Sequence, residues 1–234
     1  MTAYELDHVT LGVSHLYDGA ERLRRATGLR SAEGGWLTGM PTAHRVVPLP
    51  GGAYINVESV IARPAELDPG VRMFAGWFED VTAAGDHWMT WNLRVRSRAE
   101  LQAVADRLGG EVVTAPGANR PDGTTTTTVM APGNAAMTWA RGLPNFYLRD
   151  DQAAQPRVEH ERPVTKIAWL EIGADRAELV DHVGAETFEF LSLRLVDGPA
   201  GLRAIGLTAA DGDEIVIRAD SAAPALAEIA RRVA

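Results

Sequence analysis

Three short stretches hold the side chains with chemistry to offer. His8 stands in the strand-like run "LDHVTLGV", Leu6 to Val13. His44 and Arg45 adjoin in "AHRVV", and Asn56 and Glu58 lie two apart in "AYINVESV". An imidazole titrates near neutrality, so His8 suits proton transfer or metal ligation. A carboxyl such as Glu58 becomes a general base near neutral pH when an apolar pocket raises its pKa. A spacing of two puts Asn56 and Glu58 on one face of a strand, where Asn56 could orient a substrate oxygen. Arg45 could hold a carboxylate or enolate oxygen. His44 and Arg45 are neighbours, so they point to opposite faces and one of them lines any pocket. Trp91 and Asn92 alternate in the same way. Trp36, Trp91, Trp139 and Tyr147 could form an aromatic wall for a ligand. Each has a plainer reading: strand polarity for Asn56, a solvent-facing carboxylate for Glu58, core packing for the aromatics, and a structural ion pair for Arg45 and Arg120. His15, His160 and His182 are expected at the surface.

Composition narrows the classes. The 234 residues include no cysteine, which removes disulfides and thiolate chemistry. Any metal site must be built from His, Asp, Glu and water. The net charge of −8 and the lack of a Lys/Arg cluster argue against nucleic acid as a partner. No apolar run reaches membrane-spanning length, and no basic-then-apolar leader opens the chain, so the expected location is the cytoplasm.

The elements that must position these residues recur. "LYDGAERLRRATG" follows the first strand and places Leu16, Ala20, Leu23 and Thr27 on one helical face, with Gly28 as its stop. "MTWNLRV" is followed by a helix with Ser97 and Glu100 as capping box and Gly109 as stop. "KIAWLEI" is followed by Asp175, Glu178 and Gly184 in the same roles. Strand-like runs come after each helix, among them the run Thr124 to Thr128 entered by the turn "PDG", and "FEFLSLRLVDG" in the last third. The chain thus reads as α+β, with βαβββ units near 1–62, 85–150 and 163–220. A connector near 63–84 holds the apolar patch "MFAGWF", a polar linker spans 150–163, and a closing helix places Leu226, Ile229, Ala230 and Val233 on one face. Two such units pair naturally into a curved mixed sheet around a pocket, giving a first domain over 1–150. The third unit and closing helix, 163–234, must pack outside it or against a second copy, and the second arrangement would make a homodimer.

The order and spacing of "LDHVTLGVSHL", "GGWLTGMPTAHRVVPLPGGAYINV", "RPDGTTTTTVMAP" and "LPNFYLRD" resemble the glyoxalase-like domain group of the vicinal oxygen chelate superfamily, over roughly the first 150 residues. The resemblance implies a pocket inside the curved sheet. It also implies a divalent metal held by His from the first strand and Glu from the last strand of each unit, stabilising an enediolate or oxyanion. Carried over position by position, the first ligand is His8. Its second-unit counterpart is Thr90. Asn56, or Glu58 two residues on, stands in the last strand of unit one, and Leu148 in that of unit two. His8 and Glu58 are therefore the only candidate metal ligands unless His44 or His87 completes the set. No cofactor is expected, and a divalent metal stays open.

The leading expectation is a small-molecule enzyme of lyase or isomerase type acting on an oxygenated, carbonyl-containing metabolite. In it His8 and Glu58 transfer protons, and Arg45 and Asn56 hold oxygens. The alternative is a non-catalytic protein that binds or sequesters a small molecule; a dimeric scaffold is a weaker third.

Overall fold

The computed structural model describes residues 3–62, 68–149 and 156–233. The first unit runs β1 (Glu5–Gly12), α1 (Leu16–Thr27), β2 (Ala32–Leu37), β3 (Thr42–Pro48), a 3-10 turn at Pro50–Gly52 and β4 (Tyr54–Val60). Helix α2 (Pro69–Thr82) links it to the second unit: β5 (His87–Val95), α3 (Arg98–Leu108), β6 (Val113–Asn119), β7 (Thr125–Ala131), the short α4 (Ala135–Ala140) and β8 (Asn145–Leu148). The last third is β9 (Val164–Gly173), α5 (Arg176–Val183), α6 (Ala185–Phe190), β10 (Leu193–Leu195), β11 (Gly201–Ala209), β12 (Glu214–Arg218), β13 (Asp220–Ser221) and α7 (Ala223–Val233).

Local signals account for most of these elements. Leu16, Ala20, Leu23 and Thr27 form the buried stripe of α1, and Gly28 ends it at φ 76°, a left-handed conformation open to glycine at little cost. Ser97 and Asp175 cap α3 and α5 by accepting from the N–H groups of Glu100 and Glu178. The Thr run is a strand, β7. The apolar patch of the connector is the body of α2, whose Asp68 cap accepts from Gly70.

The first two units share one pairing scheme. In each, the first strand lies parallel to the last, and the remaining two follow antiparallel: β1-β4-β3-β2 and β5-β8-β7-β6. The units meet along β1 and β5, antiparallel, and again where Trp36 and Leu37 of β2 face Asn119 and Ala118 of β6. With β13 as an appendage on β5, the nine-stranded sheet closes on itself around an interior. The α+β repeat and curved sheet follow the sequence expectation.

The last third departs from it. Its element order is β-α-β-β-β in outline, but its sheet runs β10-β9-β11-β12. The first strand is central here, parallel to the second and antiparallel to the third. It is thus not a third copy of the repeat. "FEFLSLRLVDG" is also not one strand: its start belongs to helix α6, with Phe188 buried and Phe190 exposed, and only Leu193–Leu195 is extended. This sheet packs on the outside of the closed one. Leu170, Ile172, Leu202, Ile205 and Leu207 share a single buried cluster with Val9, Leu11, Trp91, Leu93 and Phe146.

Two expected surface histidines fasten the parts together instead. His182 is buried and its Nε2 donates to the Pro144 carbonyl at 2.8 Å. His160 accepts from the Arg30 N–H at 3.0 Å and donates to the Pro48 carbonyl at 2.8 Å. His15 is exposed. The linker from 156 onward is therefore tied to the first unit, with Glu161 pairing Arg24 and Arg30; its residues 150–155 lie outside the described ones, as do 63–67 of the connector. In α7, Leu226 is buried and Ile229 packs partly, while the side chains of Ala230 and Val233 lie outside the described set.

Candidate active site inside the closed sheet

The closed sheet surrounds a cavity of about 850 Å³, within the range of sites for drug-sized molecules. Strand alternation decides what faces it. On β4, Tyr54, Asn56 and Glu58 point inward while Ile55 and Val57 join the outer core. On β3, His44 lies directly opposite Glu58 and also points inward. Arg45 takes the other face: it bonds Ser31, pairs with Glu33 and stacks over Tyr17 at 5.1 Å. The expectation that Arg45 holds a ligand oxygen is thereby corrected. Trp91 is likewise outward, fully packed in the core with its indole N–H donating to the Gly142 carbonyl, and Trp36 is 54% exposed on β2. Neither lines the cavity. Trp139 and Tyr147 do, joined by aromatics outside the expected set: Tyr54, and Phe74, Trp77 and Phe78 from α2.

A bulge brings two consecutive residues of β1 to one side. Leu6 faces Leu93 and His8 faces Asn92, so Asp7 is the extra residue in the ladder. Asp7 and His8 thereby meet, the carboxylate accepting from His8 Nδ1. Arg149, just past β8, grips the same carboxylate through Nε at 2.7 Å and Nη2 at 2.8 Å, and Nη2 also donates to the Tyr54 hydroxyl. The guanidinium lies 4.4 Å from the Tyr54 ring centre, and His8 stacks on that ring's neighbourhood with Tyr147 edge-on at 5.1 Å. Burial alone would raise the Asp7 pKa; the Arg149 charge and the His8 hydrogen bond overcome it and hold the carboxyl below its ordinary value.

The protonation of His8 follows from its other neighbour. The Trp139 indole is only a donor, and it points at Asn92 Oδ1 at 3.2 Å. That fixes the Asn92 amide nitrogen toward His8 Nε2, at 2.9 Å, and toward Thr90 Oγ1, at 3.1 Å. His8 Nε2 is therefore an acceptor, and the ring's proton sits on Nδ1 facing Asp7. Burial pushes the His8 pKa down, against the pull of Asp7, in keeping with a neutral ring.

Further along the same wall, Glu58 is 6% exposed, and no cation among the described residues ion-pairs with it. Burial raises its pKa to about 7, with a smaller opposing pull from Thr42. Asn56 donates to Glu58 Oε2 at 3.2 Å, and the Asn56 Oδ1 is buried without a partner. Burial lowers His44 to about 4, helped by His8, Arg120 and Arg149. Its Nδ1 is buried and unpartnered. Gly34 makes room for the ring, since a Cβ there would fall on His44 Cδ2 and Nε2.

The metal that the resemblance implies does not fit these residues. The registers pair Thr10 with Asn56 and Asn92 with Asn145, which makes Tyr147, not Leu148, the counterpart of Glu58. Leu148 packs against the core cluster while also touching the cavity. The four ligand positions thus hold His8, Glu58, Thr90 and Tyr147. Both His8 nitrogens are engaged, burial holds the Tyr147 phenol well above its ordinary pKa, and Thr90 is a poor ligand. Among the described residues no three His, Asp or Glu side chains group to hold a metal ion.

Comparison with known proteins agrees with this architecture. A family model described as Glyoxalase-like domain matches residues 6–188, and the chain belongs to that family. The match runs through the closed sheet and into the last third. No curated protein matches. A hypothetical protein from Staphylococcus aureus is similar at 10% identity, with a TM-score of 0.51 over 92% of this chain and 86% of that one, a likeness of fold. Methylmalonyl-CoA epimerase from Mycobacterium tuberculosis is similar at 15% identity, TM-score 0.42, over 64% of this chain and 90% of that one. The chain is accordingly a small-molecule enzyme or binding protein of the vicinal oxygen chelate superfamily. No described helix is long and apolar enough to cross a membrane.

Proposed function

We propose that this protein is an isomerase- or lyase-type enzyme that moves a proton at a carbon next to a carbonyl group. The observation that carries the reading is the facing pair Glu58 and His44, a buried carboxyl and a buried imidazole directly opposite each other on β4 and β3. Cβ atoms so placed lie about 5 Å apart, so the two side chains can reach adjacent atoms of one ligand. With Glu58 at about 7, a fraction of the carboxyl is ionised at neutral pH and poised to accept a proton. The C–H bond breaks, the proton goes to a Glu58 oxygen, the C–H electron pair forms a carbon–carbon double bond, and the carbonyl π pair moves onto its oxygen. His44, neutral at that pH, donates from Nε2 to the enolate oxygen that forms. Returning the proton to the same or a neighbouring carbon completes an isomerisation. Asn56 positions the carboxyl through its amide.

His8 takes a different role from the one the sequence suggests. With Nδ1 given to Asp7 and Nε2 to Asn92, it is a fixed strut of the cavity floor. Solvent-hydrogen exchange tests the reading. 2-Acetylnaphthalene incubated with the protein in D2O should gain deuterium at its methyl group, followed by NMR, and Glu58→Gln should abolish the gain. A protein that binds the ketone without exchange is the binding protein of the alternative reading.

A further inference from the structure

The cavity has a second polar station that proton transfer at Glu58 does not use. Arg149 lines the floor with 15% of its side chain open. Its Nε and Nη2 are committed to Asp7 and Tyr54, and its Nη1 has no hydrogen-bond partner among the described residues. Tyr54, which marks this station, is four residues from Glu58 on the same strand, roughly 13 Å of extended chain. One small carbonyl group cannot touch both. The other cavity-lining arginine, Arg120, is itself partnered. Asn56 lies between the stations on β4, and apolar side chains, Val46, Met89, Phe74, Trp77 and Phe78, line much of the rest of the wall.

We infer that Arg149 Nη1 is an anchor for a second, uncharged carbonyl, and that the ligand is an extended molecule of fused-ring size with oxygen functions at both ends. The anchor suits a neutral oxygen because Asp7 already balances the guanidinium within the protein. A carboxylate arriving there would be stripped of water and would meet no uncompensated cation. A ketone, ester or amide oxygen costs little to desolvate and gains a hydrogen bond from a charged donor. Arg149 thus stands as a substrate-positioning group in a family whose resemblance led to the expectation of a metal, and it acts at the opposite end of the ligand from the reacting carbon.

This rests on the reading of Glu58 and His44 as the reacting station, and the two separate experimentally. Isothermal titration compares 2-acetylnaphthalene, 2,6-diacetylnaphthalene and 6-acetyl-2-naphthoate at pH 8. The diketone is expected to bind about ten-fold tighter than the monoketone, as a hydrogen bond from a charged donor provides, and tighter than the naphthoate. Arg149→Met should erase the diketone's advantage and leave monoketone binding in place. Should that variant fail to fold, Arg149→Lys, which keeps the charge and loses the planar fork, should shrink the same advantage. Asp7→Asn, which uncovers the guanidinium, should turn preference toward the naphthoate. Glu58→Gln should keep the diketone's advantage while losing deuterium exchange, so failure of the reacting station leaves the anchor standing. An equal affinity for the two ketones, an advantage that survives both Arg149 variants, tighter naphthoate binding by the unaltered protein, or no binding of any probe overturns the inference.

Discussion

The Trp139 indole N–H and the Asn92 side-chain oxygen, 3.2 Å apart, set the proton position on His8 without touching it. The contact works because an indole cannot accept and an amide has distinct ends. Asn92 is thereby oriented with its nitrogen toward His8. Replacing Asn92 with Asp leaves an acceptor at both ends, and His8 Nε2 must then carry a proton as well. The expected outcome is a His8 pKa raised from its depressed position to above the ordinary histidine value. Nitrogen-15 NMR of the His8 ring reads it directly; an unchanged neutral ring would refute the tautomer assignment.

Glu58 and His44 pull stability in opposite directions with pH. Glu58 has an ordinary value of 4.5 and sits at about 7 in the fold. The unfolded chain therefore loses its proton first, and stability falls as pH rises from 4.5 through 7. His44 has an ordinary value of 6.5 and sits at about 4. There the unfolded chain gains a proton that the fold refuses, and stability falls as pH drops from 6.5 through 4. Between 4.5 and 6.5 the two slopes oppose each other. Glu58→Gln should remove one slope and make stability rise with pH across that window. It should also stabilise the protein above pH 7 by up to about 3 kcal/mol. His44→Asn should leave the opposite slope. Urea unfolding at a series of pH values tests both, and parallel profiles for the two variants would contradict the assignment.

Asp7 and Arg149 form a buried ion pair, and breaking such a pair leaves a charge without its partner. Asp7→Asn should lower stability by about 3–5 kcal/mol. Arg149→Met should do so by a similar amount, and the double variant by clearly less than the sum. Denaturant titration of the three proteins checks the coupling; strict additivity would mean that the pair is not interacting.

Gly34 holds space for the His44 ring rather than a special backbone angle. Gly34→Ala should push His44 from its place, cost about 1–3 kcal/mol by overpacking, and depress deuterium exchange into the ketone probe more than it depresses probe binding. Equal losses of both would indicate general damage to the cavity.

How far the sequence led depends on the kind of signal. The first two units were legible because their helices carry both a periodic stripe and caps, as with Ser97 and Gly28, and their strands alternate cleanly. The start of "FEFLSLRLVDG" misled because two Phe residues spaced by two mimic a strand; the turn of helix after Gly184 buries Phe188 and leaves Phe190 outside. In the site, alternation correctly set Asn56 with Glu58 and parted His44 from Arg45, but which member faced inward depended on the pairing register. Asp7 was out of reach for another reason. A two-residue period puts it opposite His8, and only the extra residue in β1 brings both to one side. Arg149 stands within "LPNFYLRD", yet its importance comes from Asp7 and Tyr54, which are far from it in the chain.

The two joins between the repeated units are unequal. Along β1 and β5 the pairing runs from Glu5 to Gly12, with the last third packed behind it, whereas β2 and β6 pair only at Trp36 and Leu37, with Thr38 just beyond bonding Gly117 and Asn119. The first join behaves as a spine and the second as a clasp. A ligand too broad to enter at the rim would find its way in by parting the clasp, and because Glu58 lies on β4 of one half and Arg149 follows β8 of the other, a swing on the spine would change the span between them.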